Sequence, residues 1–180
     1  IRAIVDSNVT TLLVAVILSA QTTDKQVNKV NQTFFKILKN PIDTQKIWLS
    51  EIEKNIKSIW LYKNKAKFVF ETGKYLIDNF DSKIPENIID LQKLPGVGIK
   101  TAKVVMAVLF NWPYLAVDTH VHRVLNRLWF VHTKDASATD KQAEKIFSNN
   151  DKSRLHHLLI FFWRYHCTAR SPKCETCPLI

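Results

Sequence analysis

Leu94-Pro95-Gly96-Val97-Gly98-Ile99-Lys100-Thr101-Ala102-Lys103-Val104-Val105 gathers two of the chain's three glycines around one valine. Average usage would give a chain of this length roughly a dozen glycines. A sequence so sparing with glycine places it where backbone geometry requires it. Pro-Gly followed by Val-Gly reads as a tight turn that visits positive φ without a Cβ clash. The apolar run from Val104 to Leu109 then reads as a buried helix. The turn therefore abuts a helix N-terminus, whose first N–H groups point outward and can cradle an anion such as a phosphate. A plain corner between two helices, holding no ligand, is the other reading that these residues allow.

Working outward, the 180 residues suffice for one large domain or two small ones with ample core. A content of 46% hydrophobic and 11% aromatic residues excludes disorder. Lys and Arg number 26 against 16 Asp and Glu, a formal net charge of +10. Such an excess points to nucleic acid or an anionic membrane surface as partner. The longest apolar run, Leu12 to Leu18, falls far short of the ~20 residues that span a bilayer. It resembles a signal-peptide core ending at Ser19-Ala20, but Asp6 precedes it and Arg2 is the only base ahead of it, so a buried helix is expected. Because the chain opens on Ile1, it reads as a fragment trimmed at the N-terminus.

Helical periodicity dominates, no alternating strand stands out, and the expected class is all-α. Asn8 caps a helix to about Ala20. Gln21 to Asp24 break it, and Asp24 caps a second helix carrying Val27, Val30, Phe34, Ile37 and Leu38. Asp43 starts a short helix through Leu49, and Ser50 with Glu53 forms a capping box for Ile52, Ile56 and Ile59. Trp60 to Lys65 form a loop of aromatics among lysines. A long helix runs from Ala66 to Phe80, and Pro85 opens another with Ile88, Ile89 and Leu91. Trp112-Pro113 stops the helix that follows the glycine turn. A basic helix begins at Asp118, another covers about Lys141 to Phe147, and a last one runs from about Asp151 to Tyr165.

Three places offer chemistry. Lys100 sits in the first turn of a helix, where partial positive charge disfavours an ammonium, and Lys103 one turn on adds a like charge. Both favour the neutral amine that a nucleophilic lysine needs. A solvated or phosphate-touching lysine is the plainer alternative. Asp118 is an ordinary N-cap, or a carboxylate facing developing positive charge or taking a proton, and the two roles are compatible. Cys167-x6-Cys174-x2-Cys177 holds every cysteine of the chain and argues for metal ligation rather than disulfides. Thiolates so spaced bind an iron–sulfur cluster or zinc, and His166 is a possible fourth zinc ligand.

These pieces together resemble the endonuclease III family of helix-hairpin-helix DNA glycosylases. Leu18-Ser19-Ala20-Gln21-x-Thr23-Asp24 is similar to the family's opening motif, and Leu61-Tyr62 with Lys65-Ala66 to its second loop. Leu94 to Val105 resembles its hairpin, Ala116-Val117-Asp118-Thr119-His120-Val121-x-Arg123-Val124 its aspartate motif, and Arg164-Tyr165-x-Cys167 the start of its cluster loop. The resemblance implies a two-lobed fold with a C-terminal iron–sulfur cluster loop. One lobe would cover residues 8–111, the other residues 112–180 with residues 1–7, and the chain would be truncated at both termini. It also implies base-excision repair by a bifunctional glycosylase and abasic-site lyase that removes oxidised pyrimidines. Lys100 would attack the sugar C1′, displace the base and form a Schiff base. Asp118 would assist, and β-elimination would nick the strand.

The same resemblance makes Gln21 the residue that plugs the gap left by the flipped base and Leu61 a wedge in the opposite strand. The hairpin positions Leu94, Gly96, Val97 and Gly98 would bind the DNA backbone. Cys167, Cys174 and Cys177 would hold a [4Fe–4S] cluster, the fourth cysteine falling beyond Ile180, with zinc as the alternative. The implied partner is damaged double-stranded DNA, with no membrane, for a cytoplasmic monomer that is nucleoid-associated if bacterial. A non-catalytic hairpin DNA-binding protein and a monofunctional mismatch or adenine glycosylase are the competing functions. The chain departs from the family pattern at Trp60 and Trp163, where glycine is usual, and at Lys103, which replaces asparagine.

Overall fold

A computed structural model describes residues 9–22, 24–31 and 34–179. Among them there are helices and turns and no strand, so the expected all-α class holds. The α-helices are α1 (Val9–Ser19), α2 (Asp24–Asn31), α3 (Asp43–Lys46), α4 (Leu49–Asn55), α5 (Tyr62–Phe80), α6 (Ile88–Leu91), α7 (Ile99–Leu109), α8 (Thr119–Arg127), α9 (Ala136–Ile146) and α10 (Asn149–Tyr165). No described helix is long and apolar enough to cross a membrane. The chain forms two compact units, Ile1–Val105 and Met106–Ile180. The division falls inside α7, whereas the sequence reading set it after that helix, at 111/112. The expected joining of residues 1–7 to the second lobe, like the cap at Asn8, lies outside the described residues.

In the first unit α1 is buried on every side from Thr10 to Leu18, as its lack of a polar face requires. It packs on α2 and α5, and α3 and α4 also pack on α5. The buried stripe of α5, Ala66, Val69, Thr72, Gly73 and Leu76, has helical spacing. Gly73 is there for closeness: a Cβ would lie 1.8 Å from Thr44 Oγ1 on α3.

Several helix ends differ from their sequence signals. The second helix is described as far as Asn31, and Phe34 to Leu38 form a bend and turns rather than helix, with Phe34 and Leu38 in the core and Ile37 facing outward. The Asp43 helix ends at Lys46, and a new one starts at Leu49 behind Trp48, so Ser50 is no cap. α5 begins at Tyr62, which draws Tyr62 to Lys65 out of the expected loop. Asn87, not Pro85, caps α6, accepting from the Asp90 N–H. The α9 cap is Asp135, which accepts from Ala138 N–H.

In the second unit α8 packs on α9 and α10. Leu115, Val117, Val121, Val124, Leu125, Val131, Ala143 and Leu159 form its core. Leu158 and Tyr165 of α10 are exposed. Beneath α8, Asn126 donates to the His122 carbonyl (2.9 Å) and to Thr133 Oγ1 (3.2 Å), and buried Thr139 pairs with His122 Nδ1 (2.6 Å).

Candidate functional site

The glycine hairpin is a type II turn. Val97 N–H donates to the Leu94 carbonyl (3.0 Å), Pro95 takes the second position, and Gly96 follows at φ 78°. Two contacts with α5 hold it. Thr72 Oγ1 donates to the Pro95 carbonyl (2.9 Å), and Gly96 lies so near Phe68 that a Cβ would sit 2.8 Å from the ring. Gly96 thus answers both to a left-handed backbone and to a close approach. Gly98 answers to neither, since a Cβ there would meet nothing within 4 Å. Leu94 and Val97 bury their side chains, which leaves only their backbone groups to meet a ligand.

Ile99 starts α7, so Lys100 stands exposed in its first turn. The leading N–H groups of a helix have no intrahelical acceptor. Open space over Gly98 and an adjacent helix N-terminus together make a seat for an anion. Lys103 does not share the solvent face of Lys100, being only 6% exposed.

Gln21 and Leu61 share a backbone feature that the sequence did not announce. Gln21 has φ 54° and Leu61 φ 55°, left-handed values that residues with a Cβ seldom adopt. Each is the residue at a sharp break: Gln21 just past α1, Leu61 at the N-cap of α5. Both side chains are exposed, Leu61 by 48%. Beside Leu61 lies an open depression of about 550 Å³ lined by Gln26, Lys57, Ser58, Trp60 and Tyr62 among others. The unexpected Trp60 is exposed there.

In the second unit Asp118 is the N-cap of α8. Its Oδ1 accepts from the N–H groups of His120 (2.9 Å) and Val121 (2.8 Å), which fixes the carboxylate at the helix start. His120 stacks on Trp163, with ring centroids 4.0 Å apart and planes 11° from parallel. The indole that replaces the usual glycine therefore braces the first turn of α8.

Two arginines of α8 hold the start of the cysteine loop. Arg123 donates to the Cys167 carbonyl (3.0 Å), and Arg127 to the carbonyls of Thr168 (2.7 Å) and Ala169 (3.0 Å) and to Cys167 Sγ (3.6 Å). Cys167, Cys174 and Cys177 are free thiols, the first buried and Cys174 exposed. Among the described residues no three His, Cys, Asp or Glu side chains are gathered as a metal cage. The donor chemistry nonetheless suits iron and sulfide: three soft, unbridged thiols lie on one short loop. His166 Nε2 is buried with no hydrogen-bond partner.

The geometry defines a class first. A short helix, a Pro-Gly hairpin and a second helix carrying a lysine at its start are followed downstream by a capping aspartate and a cysteine loop, and the order matches one class, the base-excision DNA repair proteins. Residues 14–149 match the family of HhH-GPD superfamily base excision DNA repair proteins, and residues 167–180 match the iron–sulfur binding domain of endonuclease III.

Endonuclease III of Bacillus subtilis (strain 168) is 47% identical over 178 residues, covering 98% of this chain and 81% of that protein. Endonuclease III of Escherichia coli (strain K12) is 39% identical over 92% of this chain and 79% of its own. A solved structure of a trapped endonuclease III–DNA covalent intermediate superposes with a TM-score of 0.91 at 46% identity, covering 96% of this chain and 81% of that one. A thermostable thymine-DNA glycosylase superposes with a TM-score of 0.86 at 30% identity, over the same shares of the two chains.

The chain belongs to the endonuclease III family. It is a DNA-binding enzyme of base-excision repair, a DNA glycosylase and abasic-site lyase, and the matched C-terminal segment implies a [4Fe–4S] cluster rather than zinc. The expected candidates divide between the two units: Gln21, Leu61, the hairpin and Lys100 in the first, Asp118 and the three cysteines in the second. Sequence reasoning gave no supporting role to Lys65, Phe68 or Thr72 of α5, whose contacts hold the turn at Gln21 and the hairpin.

Proposed function

We propose that this enzyme excises oxidised pyrimidines from duplex DNA with Lys100 as nucleophile, and that it acts as a cytoplasmic monomer. The Lys100 amine attacks C1′ as the bond to the base breaks and the base leaves with a proton; the C1′–O4′ bond then opens, O4′ taking a proton, and the iminium so formed makes a C2′ proton acidic. Loss of that proton expels the 3′ phosphate by β-elimination. Asp118 faces the positive charge that builds on the sugar and accepts a proton in the attack. Cys167, Cys174 and Cys177 would hold the [4Fe–4S] cluster, which orders the basic loop bearing Arg170 and Lys173 and takes no part in the bond-breaking steps. The carrying observation is an exposed lysine in the first turn of α7 beside the open space over Gly98. The trapped covalent complex of a relative 46% identical supports covalent chemistry here.

A duplex oligonucleotide bearing one oxidised pyrimidine tests the reading. The enzyme releases the base and leaves a nick with a 3′ unsaturated aldehyde and a 5′ phosphate, resolved by electrophoresis. Base release without a nick would instead assign it to the monofunctional glycosylases.

The two hairpin glycines separate stability from binding. Gly96→Ala loses about 1–3 kcal/mol of stability, because it combines strained φ with the Phe68 contact. Gly98→Ala stays within about 0.5 kcal/mol of the parent. Its new methyl group stands where a phosphate approaches, so duplex affinity falls about tenfold, the value of one charge-assisted hydrogen bond. Thermal melting and fluorescence anisotropy at one fixed salt concentration read the two effects.

A further inference from the structure

Lys65 is a charged residue in the core of the first unit, only 5% exposed. Its ammonium has three protons, and each finds an acceptor: the Leu18 carbonyl at 2.9 Å, the Ala20 carbonyl at 2.5 Å and Thr22 Oγ1 at 2.6 Å. Its own backbone N–H donates to the Leu61 carbonyl at 3.0 Å. The Ala20 carbonyl belongs to the peptide plane about which Gln21 sets its φ. The Leu61 carbonyl belongs to the plane that fixes the ψ of Leu61. One residue therefore holds a peptide group at each of the two left-handed positions that carry the exposed Gln21 and Leu61.

We propose that Lys65 is a positioning residue that ties the turn presenting Gln21 to the turn presenting Leu61, so that both side chains enter DNA as one preset pair. The inference rests on the reading of Gln21 and Leu61 as the gap-filling and wedging residues.

Simple core packing would be met by an apolar side chain, because a buried charge is costly unless it is fully hydrogen-bonded. Here the acceptors are one carbonyl in the last turn of α1, one just past it and a hydroxyl directly beyond Gln21. A cation at a helix C-terminus is favoured by the helix dipole. Burial alone pushes the Lys65 ammonium below the usual lysine range. An arginine cannot substitute, since its planar fork does not reach three acceptors that surround a point.

The test compares double-stranded with single-stranded substrate, because only the duplex has an opposite strand to wedge and a stack to plug. Lys65→Met keeps the length and removes every side-chain donor, and Lys65→Arg keeps the charge. Thr22→Val removes one acceptor at constant shape and serves where Lys65→Met melts too low to assay. Borohydride trapping on an abasic duplex falls at least tenfold in Lys65→Met and Lys65→Arg, and at least threefold in Thr22→Val. Trapping on the single-stranded abasic oligonucleotide stays within twofold in all of them. A 2-aminopurine opposite the abasic site brightens on binding to the parent enzyme and much less on binding to the variants.

Equal losses on both substrates, or a folded Lys65→Met with parental duplex activity, would overturn the assignment. Gln21→Ala and Leu61→Ala run beside them. If those two variants trap duplex normally, the wedge reading falls and takes this inference with it. If they lose duplex activity while the Lys65 and Thr22 variants do not, only the role of Lys65 is lost.

Discussion

Replacing Lys100 with alanine abolishes the covalent adduct that borohydride traps on abasic DNA, and lowers base release on the order of 10⁴-fold or more. Removing a nucleophile deletes the step rather than slowing it, so no partial adduct is expected. The fold is untouched, because Lys100 is exposed and alanine is the best helix former for the first turn of α7. Melting temperature therefore stays with the parent while the adduct vanishes. Lys100→Arg refines the result. It keeps the positive charge and the attraction to phosphate, yet a guanidinium does not shed its proton near neutral pH. Duplex affinity is retained within a few-fold and trapping is absent. A trapped band persisting in Lys100→Ala would move the nucleophile to another amine.

The second large effect comes from Asp118, where cap and catalyst can be separated. Both observed bonds, from His120 and Val121, end on Oδ1, and an asparagine offers a carbonyl oxygen at the same place. Asn is as good an N-cap as Asp. Asp118→Asn therefore keeps α8 and the melting temperature but removes the charge and the proton acceptor, lowering kcat by roughly 10²–10⁴. Asp118→Ala loses the same activity and also the cap, a further cost of about 1 kcal/mol that shows as a lower melting temperature. Parental kcat in Asp118→Asn would reduce the residue to a cap alone.

What the sequence disclosed and what it hid divide along the range of the interactions. The hairpin and the Asp118 cap were legible because a few neighbouring residues specify them. Pro95-Gly96 dictates the turn, and an aspartate before a helical pattern dictates the cap. Lys65 was illegible because its acceptors are backbone carbonyls some 45 residues earlier, a partnership no local pattern encodes. From its neighbours it reads as one more loop lysine.

The second helix was overextended for a related reason. Phe34 and Leu38 keep helical spacing with Val30, but they reach the core from turns, and spacing alone does not tell a helix from a compact turn. Ser50 and Glu53 matched a capping pattern, yet the helix had already begun at Leu49. Asp135 was passed over because the alanines behind it lack an apolar stripe, although aspartate before such a run is an N-terminal signal.

The left-handed backbone at Gln21 and Leu61 has a consequence for anyone improving this protein. Each such residue carries about 1–3 kcal/mol of conformational penalty that glycine would erase. A screen that rewards only heat resistance will therefore drift toward glycine at both positions, yielding robust proteins stripped of the two side chains proposed to enter DNA. Hardening this scaffold means leaving these two uncomfortable residues alone and seeking gains elsewhere.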